Sequence, residues 1–272
     1  MSDLSRGDEG VARPDRLRTD VSHSARIWNY WLGGKDHYQV DEEVGDQILS
    51  FVPELPRSAV ADRRFLARAV RFLAAEAGIR QFLDIGTGLP TANNTHEVAQ
   101  RVDPSCRIVY VDNDPIVLAH AHALLTSAPE GATSYIEADV HAPEAIVEGA
   151  AATLDFERPI AITMLGVLNF VMDTDEAVTV VRRLMDAVPS GSHLVISHPT
   201  TEIDGEAMAA AVDYWNGQGS APMTLRSHAD LVRLFDGVEV LPPGIVSCSR
   251  WRPETTDEDV DVTHFGGVGT KR

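Results

Sequence analysis

The feature that most constrains the fold is the segment FLDIGTGLPT at residues 82–91, in which an apolar run ends in Asp84 and passes into a turn with two glycines. An apolar run before a glycine-rich turn is typical of the first strand and loop of a nucleotide-binding α/β domain. Gly86 and Gly88, which flank Thr87, allow the backbone to turn tightly and to approach a ligand closely. The segment therefore predicts a ligand-binding loop at the end of a strand.

After this loop, apolar runs alternate with helical patterns, which predicts a mostly parallel sheet with helices on both faces. The predicted strands are residues 81–85, 107–111, 133–137, 159–165 and 193–197, and the predicted helices are 94–102, 115–125, 143–152, 174–187 and 226–236. Residues 238–241 and 245–250 are predicted to form a closing antiparallel hairpin around two prolines and a glycine. We expect a Rossmann-like α/β domain with a sheet of seven strands.

The chain before this domain divides into two parts. Residues 1–20 are polar with few apolar anchors, which predicts a disordered tail. Residues 21–58 include the aromatic-rich stretch SARIWNYWLGGKDHY, and we expect an N-terminal extension that acts as a lid with a Gly-Gly hinge, ahead of a domain spanning residues 59–272. Trp28 and Trp31 are interpreted as anchors that pin this lid to the core.

Composition excludes several functions. The chain carries 41 acidic against 23 basic residues, a formal net charge of −18, which argues against nucleic acid or an anionic membrane as the main partner. No apolar run is long enough to span a bilayer, and we expect a cytoplasmic protein. The two cysteines, Cys106 and Cys248, are far apart, so neither a disulfide framework nor a cysteine metal site is indicated, and we expect no metal.

Three cofactor types compete for the glycine loop. A P-loop requires a lysine on phosphate, and residues 86–97 contain none. A dinucleotide loop requires a third glycine where Thr91 stands, and Asp84 would repel a pyrophosphate, so an NAD-dependent oxidoreductase is the less favoured alternative. S-adenosylmethionine carries a positive sulfonium and an ammonium group, which an acidic strand end attracts.

Polar residues at the next strand ends supply further cofactor contacts. Asp112 follows the second strand, where one carboxylate can accept hydrogen bonds from both ribose hydroxyls, and Asn113 is expected beside the adenine. Asp139 follows the third strand and either accepts a hydrogen bond from the adenine amine or caps a turn. Arg26 in the lid is the residue that we predict at the cofactor carboxylate.

The motif Asp84-x-Gly86-x-Gly88, followed by Asp112 and Asp139, resembles that of the class I S-adenosylmethionine-dependent methyltransferases. The fuller set of segments is similar to a bacterial methyltransferase family long classed as a domain of unknown function, from about residue 22 to the C-terminus. Those segments are residues 24–38, 82–91, 96–100, 110–115, 197–198 and 251–253. The resemblance implies the class I fold and S-adenosylmethionine as cofactor, but it implies no substrate.

Catalytic candidates follow from where the strands end. Methyl transfer needs alignment in a dry site, and a base only if the acceptor must lose a proton. We predict His198 and Asn169, after the fifth and fourth strands, and Tyr38 in the lid. The insertion at residues 200–224 is expected to shape a pocket for a small-molecule acceptor or to mediate a homodimer. Because no base is unmistakable, a non-catalytic S-adenosylmethionine-binding regulatory protein remains an alternative.

Overall fold

The centre of the molecule is a mixed β-sheet, seen in a computed structural model that describes residues 19–124, 127–218, 221–254 and 260–272. Across these residues the sheet has eight strands in the order β3-β2-β1-β4-β5-β8-β6, with β7 also paired to β8. The strands are β1 Gln81–Ile85, β2 Arg107–Asp112, β3 Ala132–Glu137, β4 Ala161–Leu165, β5 His193–Pro199, β6 Glu239–Val240, β7 Val246–Ser247 and β8 His264–Thr270. β1 to β5 are parallel, and β8 runs antiparallel to β5.

The helices flank this sheet and precede it. They are α1 Ser24–Trp31, α2 Gln39–Phe51, α3 Leu55–Ala75, α4 Thr95–Val102, α5 Pro115–Leu124, α6 Pro143–Ala150, α7 Thr174–Asp186, α8 Gly205–Asn216 and α9 His228–Arg233. The predicted parallel strands and the four helices between them are confirmed, with bounds that differ by at most two residues. The predicted tail lies outside the described residues except for residues 19 and 20, and the predicted boundary between residues 58 and 59 lies inside α3.

The prediction of a closing hairpin was wrong. β6 and β7 do not pair with each other; both pair with β8, one after the other along the same edge. β8 therefore makes eight strands where seven were predicted. Its sequence, HFGGVGT, contains three glycines, which argue against a strand by propensity. Close packing requires glycine here, because a Cβ on Gly266 would lie 2.6 Å from the Phe65 ring.

Alternation along the strands divides the core between the two faces of the sheet. Phe82 and Ile108 pack with α3 and α4 on one face, whereas Leu83 and Val109 pack with α6, α7 and α9 on the other. A third cluster joins α1 and α2 to α8, with Ile27, Ile48, Met208 and Trp215 buried in it. The N-terminal extension thus packs on the insertion that follows β5.

The Gly33-Gly34 turn is held by hydrogen bonds to the end of α1. Backbone N–H groups of both glycines bond to the carbonyls of the last turn of α1, and Asn29 Oδ1 accepts the N–H of Asp36 at 3.0 Å. These bonds satisfy the end of α1 in the way a helix C-cap does. Trp28 and Trp31 pack on each other, with 5.9 Å between ring centroids.

Candidate active site

A cavity of about 580 Å³ lies at the carboxyl ends of the parallel strands, covered by α1 and α8. In open α/β sheets this edge is where ligands bind, and the volume is in the range of small-molecule sites. One part of this cavity, which we call the polar end, is formed by Asp84, residues 86–88, Asp112, Asn113 and Asp139. The part we call the apolar chamber is formed by Trp28, Trp31, Ile48, Leu55, Leu66, Phe170, Met172, Met208, Ala211, Val212, Trp215, Pro222 and Met223.

At the polar end, Asp84 is buried and is held by two hydroxyl donors. Thr95 donates to one carboxylate oxygen at 2.5 Å and Thr163 to the other at 2.8 Å. Burial raises the pKa of Asp84, although the two hydroxyl groups oppose that change. In the turn that follows, Gly86 has φ +74° and a Cβ on it would lie 2.5 Å from Val167, whereas a Cβ on Gly88 would meet nothing within 4 Å. Gly88 therefore presents bare backbone to open space.

The Asp112 carboxylate is oriented by the backbone before any ligand arrives. It accepts the N–H of Gly88 at 2.9 Å through one oxygen and that of Asp114 at 3.0 Å through the other. Each carboxylate oxygen has a second lone-pair site, so two further hydrogen bonds can form. Burial raises the pKa of Asp112, and the backbone N–H groups of Asp114 and Gly88 oppose the rise.

Asn113 and Asp139 meet on the wall beyond Asp112. The Asn113 amide donates to Asp139 at 3.1 Å, and His141 contacts the same carboxylate through its ring nitrogen at 2.6 Å and its backbone N–H at 2.9 Å. Burial raises the pKa of Asp139, but the bonds from His141 and Asn113 outweigh it, and the pKa lies below its usual value. Asp139 both lines the cavity and closes a turn.

Arg26 and Tyr38 do not line the cavity, and this corrects the roles predicted for them. Arg26 is only 2 % exposed, pairs with Asp41 at 2.8 Å and donates to the Val21 carbonyl. Its guanidinium lies over the Tyr38 ring, 5.0 Å from the centroid. Asp41 also accepts the backbone N–H groups of Tyr38 and His23, so this pair ties the extension together rather than facing a ligand.

His198 is also not placed as a base. It is fully buried behind the cavity wall, its Nδ1–H donates to the Pro199 carbonyl at 2.7 Å, and its Nε2 accepts from Arg226 at 2.6 Å. Burial and the charge of Arg226 lower the pKa of His198 to about 3. The ring is neutral at pH 7 and its one lone pair is occupied, so it cannot take a proton from an acceptor.

Arg226 holds the loop that follows β4. Besides His198, its guanidinium donates to the carbonyls of Leu168 and Val171 at 2.8 and 2.6 Å. Asn169 lies in the short 3-10 helix between those residues, and its own carbonyl accepts the N–H of Thr224 at 2.8 Å. Asn169 lines the cavity and is 3 % exposed, and its Oδ1 has no hydrogen-bond partner within the described part of the chain.

Two neighbouring residues of α3 that the sequence analysis missed also line the cavity. Asp62 is 4 % exposed and accepts a weak hydrogen bond from the Cys248 thiol at 3.8 Å; burial raises the pKa of Asp62 to about 6. Arg63 reaches the Asn93 carbonyl at 3.4 Å and lies close enough to lower the pKa of Asp84. Its buried Nε has no partner within the described ranges. The charge of Arg63 also opposes the rise in the pKa of Asp62, so Arg63 lies near both carboxylates.

His264, the first residue of β8, shares the Asp62 side of the cavity. Ser58, one helical turn before Asp62, hydrogen-bonds Thr263 at 2.9 Å, and the His264 ring meets Trp28 edge-on with 5.2 Å between centroids. Burial lowers the pKa of His264 to about 4. The sequence holds one signal for this wall: Asp62 falls on the apolar stripe of α3 with Leu66 and Ala69, where a carboxylate is unusual.

Two features that other mechanisms need are not seen in the part of the chain that the structure describes. No group of three or more His, Cys, Asp or Glu side chains there has the arrangement of a metal site. None of the helices within those same ranges combines the length and the apolar character that a membrane crossing requires.

The sheet order, the antiparallel strand beside β5 and the glycine loop with acids at the carboxyl ends of β1 and β2 define the class I methyltransferase fold. A family model described as S-adenosyl methyltransferase matches residues 11–272, and the chain belongs to that family. It is thus an enzyme of the S-adenosylmethionine-dependent methyltransferase class, and not an NAD-dependent oxidoreductase. Among curated proteins, none matches the sequence.

Solved structures agree with this assignment. A DUF574 family protein from Streptomyces avermitilis is 45% identical, with 94% of this chain and 99% of that chain covered and a TM-score of 0.88. A protein from Thermobifida fusca is 36% identical, with 95% and 98% covered and a TM-score of 0.86. An O-methyltransferase family 2 protein from Planctomyces limnophilus, at 13% identity, 86% and 63% coverage and a TM-score of 0.51, shares the fold alone.

Proposed function

We propose that the protein binds S-adenosylmethionine at the polar end and transfers its methyl group to a small molecule held in the apolar chamber. The observation that carries this proposal is that one cavity joins the strand-end carboxylates to a chamber with apolar walls. The chamber is formed within a single chain, so the proposal does not require the homodimer that the sequence left open. The net charge of −18 supports a small acceptor rather than a nucleic acid.

The residues of the polar end fit this cofactor. Asp112 retains lone pairs for both ribose hydroxyls, and Asn113 and Asp139 offer an amide and a carboxylate to the adenine. The buried carboxylate of Asp84 attracts the positive groups of the methionine portion. Arg63 replaces Arg26 as the residue for the cofactor carboxylate, because its buried Nε has no partner among the residues that the structure describes.

When bound, S-adenosylmethionine supplies a methyl group on a positively charged sulfur and leaves as S-adenosylhomocysteine. An acceptor hydroxyl or amine must lose a proton as it is methylated, and Asp62 is the carboxylate on the chamber wall that takes this proton. Burial raises the pKa of Asp62 to about 6, so its carboxylate is ionised near neutral pH and is still basic enough to serve. His264 stays neutral beside it.

Calorimetric titration with S-adenosylmethionine, S-adenosylhomocysteine and NADH tests the cofactor assignment. We expect the two adenosyl sulfur compounds to bind and NADH not to bind. Asp112→Asn should weaken binding by about 10- to 100-fold, the usual worth of hydrogen bonds to a charged group. Asp186→Asn, a change at an exposed carboxylate of α7, is the matched control and should bind as the unchanged protein does. Binding of NADH alone would overturn the proposal.

A further inference from the structure

The walls of the apolar chamber are suited to a flat ring system. Trp28, Trp31, Trp215 and Phe170 line it, and aromatic walls favour ligands that bury broad apolar faces against them. Met208 and Met223 add flexible thioether side chains that adapt to the outline of a ring. The chamber therefore selects by apolar area and shape rather than by charge.

Charge on the chamber walls disfavours an ionic acceptor. Among the described residues, Asp62 and His264 lie on one wall, and Glu176 is an exposed side chain at the margin. An anionic acceptor would place a further negative charge beside Asp62, where the single charge of Arg63 already faces two buried carboxylates, Asp62 and Asp84. An aliphatic ammonium would lose its hydration in an apolar site and has no lone pair with which to attack a methyl group. An uncharged hydroxyl is not repelled by Asp62, loses no hydration of a charge and keeps lone pairs with which to attack the methyl group.

Two buried polar atoms of the chamber residues, Asn169 Oδ1 and Trp31 Nε1, have no hydrogen-bond partner among the described residues. Asn169 Oδ1 is the acceptor of the two, and nearly all buried acceptors in proteins are paired. The backbone that carries this side chain is held in place, because Arg226 binds the carbonyls of Leu168 and Val171 and the N–H of Thr224 bonds the Asn169 carbonyl. An N–H or O–H group on the ligand would satisfy this acceptor.

From these observations we infer that the acceptor is an uncharged aromatic hydroxyl compound with a second hydrogen-bond donor, which Asn169 accepts while the hydroxyl to be methylated faces Asp62. This inference rests on the proposed function, because it assigns the acceptor of the same site. Asn169 is a positioning contact here, since an amide cannot take the proton.

Calorimetry on the full chain saturated with S-adenosylhomocysteine tests the inference with 2-naphthol, the dihydroxynaphthalene isomers and 2-(aminomethyl)naphthalene as probes. We expect at least one dihydroxynaphthalene to bind about tenfold more tightly than 2-naphthol, because it pairs a buried acceptor. Asn169→Leu should abolish that gain and leave 2-naphthol binding within about twofold. The change removes an atom without a partner, so the fold should be retained, and Asn169→Ala serves as a second variant. Gln47→Leu, on the exposed side of α2, is the control.

Three results would overturn the inference. In the first, a dihydroxynaphthalene still binds more tightly than 2-naphthol in both Asn169 variants. In the second, no dihydroxynaphthalene isomer binds the unchanged protein more tightly than 2-naphthol, and in the third the amine binds more tightly than 2-naphthol. The failure of the proposed function is distinguishable from these, because S-adenosylhomocysteine itself would then not bind. Binding of S-adenosylhomocysteine without a preference for naphthols would overturn only the acceptor class.

Discussion

The polar end and the Asp62 wall of the apolar chamber are built in different ways, although they belong to one cavity. The polar end takes its side chains from the ends of consecutive parallel strands, within residues 84–139, and the backbone orients them. The wall with Asp62 and His264 joins residues about 200 positions apart through the contact of α3 with β8. The comparison indicates that cofactor binding rests on a local motif, whereas acceptor chemistry rests on tertiary packing.

The largest effect is expected from removing the proposed base. Asp62→Asn should lower the rate of methyl transfer to the tightest-binding dihydroxynaphthalene by about 10²- to 10⁴-fold, the usual contribution of a positioned base. The affinity for S-adenosylmethionine should change by less than about threefold, because Asp62 is not one of the residues that form the polar end. Product formation followed by mass spectrometry, together with calorimetry, measures both. Asp213→Asn, at an exposed site on α8, is the control.

Equal loss of rate and cofactor affinity in Asp62→Asn would remove the distinction between the two regions. An unchanged rate would instead show that methyl transfer in this protein does not depend on Asp62 as a base.

The same residue should make the protein less stable as the pH rises. The pKa of Asp62 is raised to about 6 by burial, from 3.8 in an exposed carboxyl. Between these values the folded protein binds more protons than the unfolded chain, so the free energy of unfolding falls as pH increases and stays low above pH 6. Asp62→Asn removes the cost of ionising a buried carboxyl above pH 6, and this cost is on the order of 3 kcal/mol.

Urea unfolding at pH 4 and pH 8 measures this effect. We expect the stabilisation by Asp62→Asn to be larger at pH 8 than at pH 4 by on the order of 2 kcal/mol. The neighbouring ionisable groups do not change this direction: Cys248 remains a thiol because burial raises its pKa, and His264 is neutral above pH 4. If Asp62→Asn changes the free energy of unfolding by the same amount at pH 4 and at pH 8, Asp62 is not desolvated.

A smaller effect is expected at the boundary between the two regions. Arg63→Gln should weaken S-adenosylmethionine binding by about tenfold, because the variant loses a charge-assisted bond to the methionine carboxylate. Decarboxylated S-adenosylmethionine should bind the variant and the unchanged protein equally. Arg64→Gln, the adjacent position on α3, is the matched control in the same calorimetric titrations. Equal weakening for both ligands would mean that Arg63 acts through Asp84 and not through the carboxylate.

The sequence predicts the polar end because parallel strands bring their carboxyl ends to one edge of the sheet in chain order. The same rule places Asn169 at the cavity. It fails for His198, because β5 continues to Pro199, and Pro199 is the β5 residue that reaches the cavity while His198 is buried against Arg226. No local pattern pairs Asp62 with His264, since one precedes the first strand and the other begins a glycine-rich strand.

Arg26 illustrates a further limit of sequence reasoning. An arginine within an aromatic segment has the chemistry to bind a carboxylate, and the sequence alone suggests a ligand as the source of that carboxylate. In the structure the carboxylate comes from Asp41, fifteen positions later on α2. A charged group can be matched to its partner only when the packing of α1 on α2 is known.

The smallest effect is predicted for Tyr38→Phe. Tyr38 is a catalytic candidate by sequence, but in the structure it belongs neither to the polar end nor to the apolar chamber. The side chain is 41 % exposed and lies outside the cavity, so loss of its hydroxyl should change neither the rate nor cofactor affinity by more than about twofold. The aromatic face that covers Arg26 is retained in phenylalanine. A rate loss of tenfold or more at unchanged stability would mean that the extension moves Tyr38 to the acceptor during turnover. The lid predicted from the sequence would then contribute directly to catalysis.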